Sequence, residues 1–412
     1  MKREEHKMAI FTKEQIRQLI KDNNLKEAKD IQGMLKNMFA ETLQEMLEAE
    51  LDEELGYTRY DYKSKQTSNS RNGHSKKKVT SDQGPMDLKI PRDREGEFSP
   101  QVVKKHENDV SGIEDQILSM YAKGMSVRDI QDHLQNIYGI EASPTLISRI
   151  TDRIMPLVTE WQNRPLEPIY AIVFMDAVHF KVRTDGRIIN KAAYVAIGIN
   201  LDGKKDVLGI WSGENESAKY WLNIINELKN RGVKDILIAS IDGLSGFSEA
   251  IRAAFPETEI QRCIIHQIRS STKYISYKDL KSFTSDLKLI YRSVNEEEAL
   301  QQLDFLEEKW GSKYAVAINS WKKNWVELAT FFKYPQEVRT LIYTNNAIEG
   351  YNRQLRKVTK AKSSFPTDEA LLKMLYLATM DILKKWTTRI KNWSIVLAQL
   401  SVYFGDRLEG HI

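Results

Sequence analysis

Three acidic segments govern the interpretation of this chain: VFMDAVHF at residues 173–180, IASIDGLSGF at 238–247 and YTNNAIEGYNRQLRK at 343–357. The first two place Asp176 and Asp242 at the ends of apolar, β-branched runs, which are typical of strands buried on both faces. Carboxylates are costly in a core unless they are paired or hold a metal. Two of them on neighbouring strands repel each other unless a cation lies between them. Because Glu349 stands among arginines and lysines, the three segments together predict a divalent-metal site facing a polyanion.

The totals indicate a soluble, intracellular protein of several units. A length of 412 residues predicts two to four folded units. The single cysteine, Cys263, excludes an intramolecular disulfide and fits a reducing compartment. The first eleven residues, MKREEHKMAIF, do not resemble a signal peptide, and no apolar run approaches the ~18 residues that span a bilayer. We therefore expect a cytoplasmic protein without membrane contact, associated with the nucleoid when bound to DNA.

Local charge is more informative than the formal net charge of +4. Residues 41–54 carry seven acids and no basic residue, whereas residues 63–78 and 350–362 are basic and contain no acid. Basic runs of this kind attract phosphate and release counterions. The alternative for each run is an ordinary solvated surface. The candidate DNA contacts in the first basic run are Arg71, Lys76, Lys77 and Lys78.

The N-terminal third is predicted to contain one long helix, a basic arm and a helical triplet. Apolar residues recur every three or four positions from Ala28 to Leu55, which predicts an amphipathic helix and a candidate dimer contact. The polar stretch SKQTSNSRNGHSKKK predicts a mobile loop, and MDLKIPRDREGEF a short strand or hairpin with little core.

Residues 111–155 are predicted to form three short helices, with Ser126 and the pair Ser143–Pro144 at helix starts. This pattern is consistent with a helix-turn-helix that presents Arg149 to a DNA groove. A plain three-helix spacer is the alternative.

From Ala171 the pattern changes to that of a mixed α/β sheet. Three apolar stretches joined by the turns TDGR and LDGK predict an antiparallel meander. A helix at Ser217–Lys229, the strand DILIASID, a helix at Gly246–Ala254 and the strand EIQRCIIH follow. Residues 270–336 are helical and aromatic. Their tryptophans are mostly core residues by expectation, and Trp325 is the candidate for stacking on an unpaired base.

The helix that carries Glu349 also predicts phosphate contacts. Glu349, Arg353 and Arg356 are spaced to share one helix face, so the carboxylate could hold metal while the arginines bind phosphate. Lys357 and Lys360 extend the basic run. The alternative, a surface Glu–Arg pair, explains Glu349 and Arg353 equally well. It does not explain the absence of acids through residue 362.

Two further patterns carry less weight. Cys263 and His266 supply only two zinc ligands, so structural zinc is not expected, and a packed cysteine beside a hydrogen-bonded histidine is the plain interpretation. Strict alternation turns His179 and Lys181 away from the face of Asp176, so both are interpreted as structural.

The same segments resemble the Mutator-type transposases of bacterial insertion sequences. The resemblance rests on VFMDAVHFKVR, ASIDGLSGFSEAI, QRCIIHQIRSS and YTNNAIEGYNRQLRKVTK, with RNGHSKKK and PRDREGEFSP in the N-terminal half. It implies an RNase H-like catalytic fold with an all-helical insertion, and an Asp–Asp–Glu triad at Asp176, Asp242 and Glu349. It also implies a Cys-x-x-His pattern at Cys263 and His266, with DNA positioning as its role, and the basic residue at Arg356.

The resulting expectation is a multi-domain α/β protein with an RNase H-like mixed sheet, preceded by helical and helix-turn-helix-like regions. Its parts are a helical region at 1–56, a basic loop and strand region at 57–110, a helix-turn-helix-like domain at 111–160, a first catalytic part at 165–269, an all-helical insertion at 270–336 and a second catalytic part at 337–405.

Phosphodiester cleavage and joining require in-line attack. Two Mg²⁺ ions roughly 3.5–4 Å apart suit this chemistry, and Mn²⁺ is expected to substitute. The expected ligands are Asp176, bridging both ions, with Asp242 and Glu349.

The expected function is a transposase, a homodimer or larger, that binds terminal inverted repeats and target DNA and catalyses Mg²⁺-dependent cleavage and strand transfer. A metal-dependent nuclease that cuts without joining is one alternative. A DNA-binding regulator with a degenerate catalytic fold is the other, and the intact carboxylates weigh against it.

Overall fold

The computed structural model describes residues 12–61, 63, 65–81, 84–104, 113–138, 140, 142–343, 346–360 and 362–411. The segment discussed above as lacking a signal peptide, residues 1–11, lies outside this range. Two compact units divide the chain: Met1–Tyr121 with Met125–Ile150, and Ala122–Gly124 with Thr151–Ile412. No helix in the described ranges has both the length and the apolar character needed to cross a membrane.

In the first unit a long helix packs against a β-ribbon. The elements are α1 (Lys13–Asp22), α2 (Ala28–Leu55), β1 (Arg71–Ser81), β2 (Gly84–Asp93), α3 (Ile113–Ala122), α4 (Val127–His133, continued by a π-helical turn at Leu134–Tyr138) and α5 (Pro144–Asp152). The predicted bounds of α2 are confirmed. The capped starts of α4 at Ser126 and α5 at Ser143 are confirmed too, each by a serine hydroxyl that accepts a backbone N–H.

The expectation of a mobile loop over residues 64–78 is wrong from Arg71 onwards, where β1 begins, and so is the expectation of little core in this region. β1 and β2 pair antiparallel along their length, with an irregularity between Arg71 and His74 opposite Pro91. Leu43 and Leu47 of α2 bury Val79, Met86 and Leu88 of the ribbon. Because the lysine-rich strand brings few apolar residues of its own, its core comes from a helix about thirty residues earlier in the chain.

The second unit is built on a five-stranded mixed sheet, which confirms the predicted α/β class. Its strands are β3 (Ile169–Thr184), β4 (Arg187–Asn200), β5 (Lys205–Gly213), β6 (Asp235–Ile241) and β7 (Glu259–Arg262), in the spatial order β5-β4-β3-β6-β7. The three meander strands are antiparallel, and β3, β6 and β7 are parallel. Positive φ angles at Asp185 and Gly186 form the two-residue turn between β3 and β4.

Helices cover the sheet and extend from it. They are α6 (Met155–Asn163), α7 (Ala218–Asn230), α8 (Phe247–Ala254), α9 (Ile264–Thr272), α10 (Tyr277–Arg292), α11 (Glu296–Lys323), α12 (Trp325–Leu328, followed by a 3₁₀ turn at Thr330–Lys333), α13 (Gln336–Ile342), α14 (Asn346–Thr359), α15 (Asp368–Leu383) and α16 (Trp393–Leu408). On one face α7 and α8 bury Trp221 and Phe247, whose rings stack 4.5 Å apart. α14 contacts β3, and α15 contacts β5.

One strand is shorter than predicted. The stretch EIQRCIIH forms a strand only to Arg262, and α9 begins at Ile264 with Cys263 as its N-cap. A short apolar run such as CIIH fits a buried strand and a buried helix equally well. The change of direction at Cys263 turns His266 back towards Asp176 and Asp242. Asp242 directly follows β6 as predicted, whereas Asp176 lies within β3, which continues to Thr184 instead of ending at the aspartate.

Candidate active site

Asp176 is a buried carboxylate held at both oxygens. It lies within β3, is 7% exposed, and pairs in register with Val195 of β4. Its Oδ1 accepts the backbone N–H of Ala177 at 2.9 Å, and its Oδ2 accepts the side-chain amide of Asn352 at 2.8 Å. Burial raises the pKa of Asp176 to about 6, although the charge of His266 acts in the opposite direction. The position of this carboxylate is therefore fixed while its charge is poorly solvated.

Strand register brings Asp242 beside Asp176. Met175 and Ile241 are partners in the parallel pair of β3 and β6, and each is followed directly by an aspartate. Neighbouring strands lie about 4.8 Å apart, so the two carboxylates leave adjacent strands at the same level. Burial raises the pKa of Asp242, and its Oδ1 is buried without a hydrogen-bond donor. Two like charges with little solvent form a site that favours a cation.

Glu349 reaches the same region through α14. It lies in the first turn of that helix, and Asn352, one turn later, donates to Asp176. Residues three apart share a helix face, so the bond from Asn352 orients the face of Glu349 towards β3. The Glu349 carboxylate pairs with Arg269 of α9 at 2.9 Å, but the guanidinium is not aligned to donate a hydrogen bond. Arg269 therefore lies next to Glu349, the third acid of the predicted site.

His266 supplies a positive charge next to the two aspartates. The adjacent Cys263 side chain is the largest influence that raises the pKa of His266, to about 9, and Asp176 and Asp242 act in the same direction against burial. The imidazole is therefore protonated at neutral pH. Cys263 is fully buried and its N–H donates to Ile241 O at 2.7 Å, so it fixes α9 to the end of β6 and cannot reach DNA.

Glu216, which the sequence interpretation missed, is a fourth acid at this site. It precedes Ser217, the N-cap of α7. Burial raises the pKa of Glu216 to about 7, with Asp242 the next largest cause and Asp176 also contributing. The only sequence signal is an acid between the third strand and a capped helix, a common pattern at helix starts.

Buried oxygens that accept no hydrogen bond lie around the aspartates and fit hard metal ions. Asp242 Oδ1, Glu216 Oε1, Glu349 Oε1 and Asn352 Oδ1 are buried and accept no hydrogen bond. Oxygen ligands of this type are those that Mg²⁺ prefers. Within the described ranges, however, no three Asp, Glu, His or Cys side chains are close enough to share one ion. The donor set fits a metal. The acids stand apart, and the charges of His266, Arg262 and Arg269 offset part of their mutual repulsion.

The predicted DNA contacts fall into distinct environments. Arg353, Arg356 and Lys357 are exposed on α14, Lys360 is exposed directly after it, and Arg149 is exposed on α5. On β1, Lys76 and Lys78 are exposed, whereas the Lys77 ammonium donates to Lys104 O at 2.6 Å.

Two predicted contacts are engaged within the protein. The Arg71 guanidinium is 13% exposed and pairs with Glu48 and Asp52 of α2, which makes it a structural ion-pair partner. Trp325 is half-buried and donates its indole N–H to Glu296 at 2.9 Å. Trp321 is buried, as expected of a core residue.

The site thus combines buried acids at one level of the adjacent strands β3 and β6 with a helix that carries exposed basic residues. The comparison with known families is specific: the family described as "Transposase, Mutator family" matches residues 10–389. The chain belongs to this family.

Two relatives illustrate the similarity. The chain is 44% identical over 401 residues to a probable transposase for an ISRM3-like insertion sequence element of Sinorhizobium fredii, covering 97% of this chain and 99% of the relative. It is 31% identical over 368 residues to the transposase for insertion sequence element IS905 of Lactococcus lactis, covering 89% and 94%. Among solved structures, the Drosophila P element transposase strand transfer complex matches with a TM-score of 0.28 at 11% identity, over 72% of this chain and 86% of that one.

Because the pKa of Asp176 is raised, the free energy of unfolding of the metal-free protein should depend on pH. A carboxyl whose folded pKa exceeds its unfolded value contributes stability below the unfolded pKa, near 3.8, that is lost as pH rises through about 6. At pH 8 in a chelator, Asp176→Asn should therefore raise the free energy of unfolding by about 2–3 kcal/mol. Urea unfolding at pH 5 and 8 measures this. Asp185→Asn, at an exposed turn, is the control, and equal wild-type and Asp176→Asn curves at pH 8 would contradict the prediction.

Proposed function

We propose that this chain is a DNA transposase that binds the terminal inverted repeats of its own insertion sequence and catalyses Mg²⁺-dependent strand cleavage and strand transfer. The observation that supports the proposal is that Asp176 and Asp242 lie at one level of the adjacent strands β3 and β6, linked to the helix of Glu349 by the Asn352 bond. An RNase H-like catalytic fold is part of this proposal, and the mixed five-stranded sheet supports it.

The metal ligands in this proposal are Asp176, Asp242 and Glu349, with Glu216 as an additional acid. Bound Mg²⁺ would supply activation of the attacking oxygen and stabilisation of the leaving one. The chain's own residues provide the positioning. Asn352 holds one oxygen of Asp176, and the protonated His266 lowers the repulsion between the aspartates. Arg353 and Arg356, exposed on α14, bind the phosphates on either side of the scissile bond.

A triad substitution should abolish cleavage without abolishing DNA binding. Asp176→Asn, Asp242→Asn and Glu349→Gln should each lower Mg²⁺-dependent cleavage of labelled end DNA by on the order of 10³-fold or more. Glu214→Gln, at an exposed acid next to the site, is the matched control and should retain activity. Full activity in any of the three variants would exclude that residue from the catalytic set.

The same assay separates the proposed function from its alternatives. A product in which the end is joined to target DNA supports a transposase. Cleavage without joined product would favour a nuclease. End binding without any metal-dependent cleavage by the wild type would favour a regulator.

Arg269 competes with metal for Glu349 in this proposal, because its guanidinium lies 2.9 Å from the carboxylate. Arg269→Ala should therefore tighten Mn²⁺ binding in the absence of DNA, by roughly two- to fivefold for a partly exposed pair. Isothermal titration with MnCl₂ measures this, and Arg269→Lys, which keeps the charge, is the control. Weaker binding in Arg269→Ala would mean that the arginine holds Glu349 in position for the metal instead of competing with it.

A transposase must bring the two ends of its insertion sequence together, which a dimer would do. The candidate dimer surface is the first half of α2. Ile31, Leu35 and Phe39 are spaced four residues apart and are 46%, 44% and 39% exposed, whereas Leu43, Leu47 and Leu51 further along the helix are buried against the first unit. A row at i, i+4 and i+8 forms one apolar face. This face fits the same face of a second copy.

Charge on this face should disrupt the dimer. The double variant Leu35→Glu/Phe39→Glu should elute as a monomer at concentrations where the wild type is a dimer, because two carboxylates would be buried at the interface. Light scattering coupled to gel filtration gives the mass. Val402→Glu, at an 81% exposed apolar position, is the control. A double variant that stays dimeric would exclude this face.

A further inference from the structure

The turn between α9 and α10 exposes two tyrosine rings. Tyr274 lies just after the end of α9 and Tyr277 is the first residue of α10, and the two are 56% and 94% exposed. Within the described part of the chain, neither ring packs on another aromatic ring and neither hydroxyl forms a hydrogen bond. Tyrosine combines a large apolar surface with a polar tip, which suits it to recognition surfaces. Two neighbouring rings are therefore available to a partner.

The backbone of this turn is anchored on α11. The Tyr314 hydroxyl accepts the Ser276 N–H at 3.3 Å and lies 2.8 Å from the Ser276 hydroxyl. It donates to Asp279 at 2.6 Å, and Lys313 pairs with the same carboxylate. Tyr314 is itself buried, with its ring edge to face against Phe283. Because the turn is fixed by a buried side chain, the two rings start from a preorganised backbone, which lowers the entropic cost of binding.

The charge around the rings is positive. Lys273 and Lys278 flank them, are exposed, and form no ion pair within the described residues. The one acid from residue 262 to residue 285 is Asp279, which α11 already binds. The stretch of α11 that holds the turn, residues 309–323, contains no acid. Exposed aromatic rings on a basic surface are the combination that binds single-stranded nucleic acid, because bases stack on the rings while the cations bind the phosphates.

Helix α9 connects this surface to the carboxylates. At its start His266 lies beside the two aspartates. One turn later Arg269 pairs with Glu349 at 2.9 Å. Lys273, the C-cap of α9, follows Arg269 by four residues, so the two cations share one helix face about 6 Å apart along the axis. Positive charge therefore continues from the third acid to the turn that carries the rings.

We propose that the turn at residues 273–278 is a stacking site for unpaired bases of the DNA strand held at the carboxylates. A paired base offers its faces only to its neighbours in the duplex, so the two tyrosine rings select DNA in which pairing is broken near the cleavage position. Every base has a π-face, so the site reads no sequence. The sequence interpretation gave this role to Trp325, which is half-buried and bonded to Glu296. This inference rests on the proposed transposase function and adds a feature of its substrate, local unpairing.

The preference for unpaired over paired DNA tests the stacking site. Two labelled probes carry the terminal repeat of the element, one fully paired and one with the base pairs at the cleavage position replaced by mismatches. Fluorescence anisotropy in chelator gives the affinity of the full chain for each probe, and their ratio is the preference. The double variant Tyr274→Ala/Tyr277→Ala removes the rings, and Tyr274→Phe/Tyr277→Phe keeps them. Phe305→Ala, at a 60% exposed aromatic position on α11, is the control.

The wild type is expected to prefer the mismatched probe by roughly tenfold, the effect of one stacked base. The alanine pair should lose this preference and keep its affinity for the paired probe, whereas the phenylalanine pair and the control should behave as the wild type.

Three results overturn the stacking site alone, in a protein that cleaves end DNA with Mg²⁺. They are a wild type without the preference, an alanine pair that retains it, and a phenylalanine pair that loses it. Equal weakening of both probes in the alanine pair would place duplex DNA at the turn and overturn the stacking site as well. A wild type that neither binds nor cleaves either probe overturns the proposed function and the stacking site with it.

Discussion

The parallel pairing of β3 and β6 is the constraint on which the site depends. Met175 opposite Ile241 places Asp176, within β3, at the same level as Asp242, which directly follows β6. A shift of one residue in this register would turn one carboxylate to the opposite face of the sheet. The apolar cluster around Trp221 and Phe247 specifies the register by burying one face of both strands under α7 and α8. Packing that has no chemical role thus decides where the charged groups meet.

The second part of the constraint is the hydrogen bond from Asn352 to Asp176. These residues are separated by 176 positions in the chain. Between them come the helices α9 to α13, which include the tryptophan-rich segment. Because the bond is formed by a side chain one turn from Glu349, any displacement of α14 along its axis changes the distance from the third acid to the other two. The helical segment positions Glu349 and the sheet positions Asp176 and Asp242, so both determine the distances between the three acids.

Much of this fold was predictable because local signals agreed with the final structure. The Asp185–Gly186 turn, the apolar runs of β3 and β4 and the capped start of α7 all follow from local propensity and patterning. The errors arise where the deciding contact is distant. The lysine-rich sequence of β1 predicts a loop, because the core of this strand is supplied by Leu43 and Leu47 of α2. The local sequence of Arg71 predicts a DNA contact, because nothing near it in the chain indicates that Glu48 and Asp52 bind it.

The candidate site likewise contains acids that the sequence identifies and one that it does not. Asp176 and Asp242 were identifiable because a charge at the end of a buried run breaks a pattern, whereas Glu216 breaks none. An acid before a serine-capped helix is ordinary, and only the three-dimensional structure brings it near the aspartates. The burial of these acids has an electrostatic consequence. Without a metal the acids repel one another, and His266 and Arg269 offset this repulsion in part. A divalent cation that replaced these partners would relieve the repulsion and draw Glu349 towards the aspartates, so assembly of the site and binding of its cation are expected to be one coupled event.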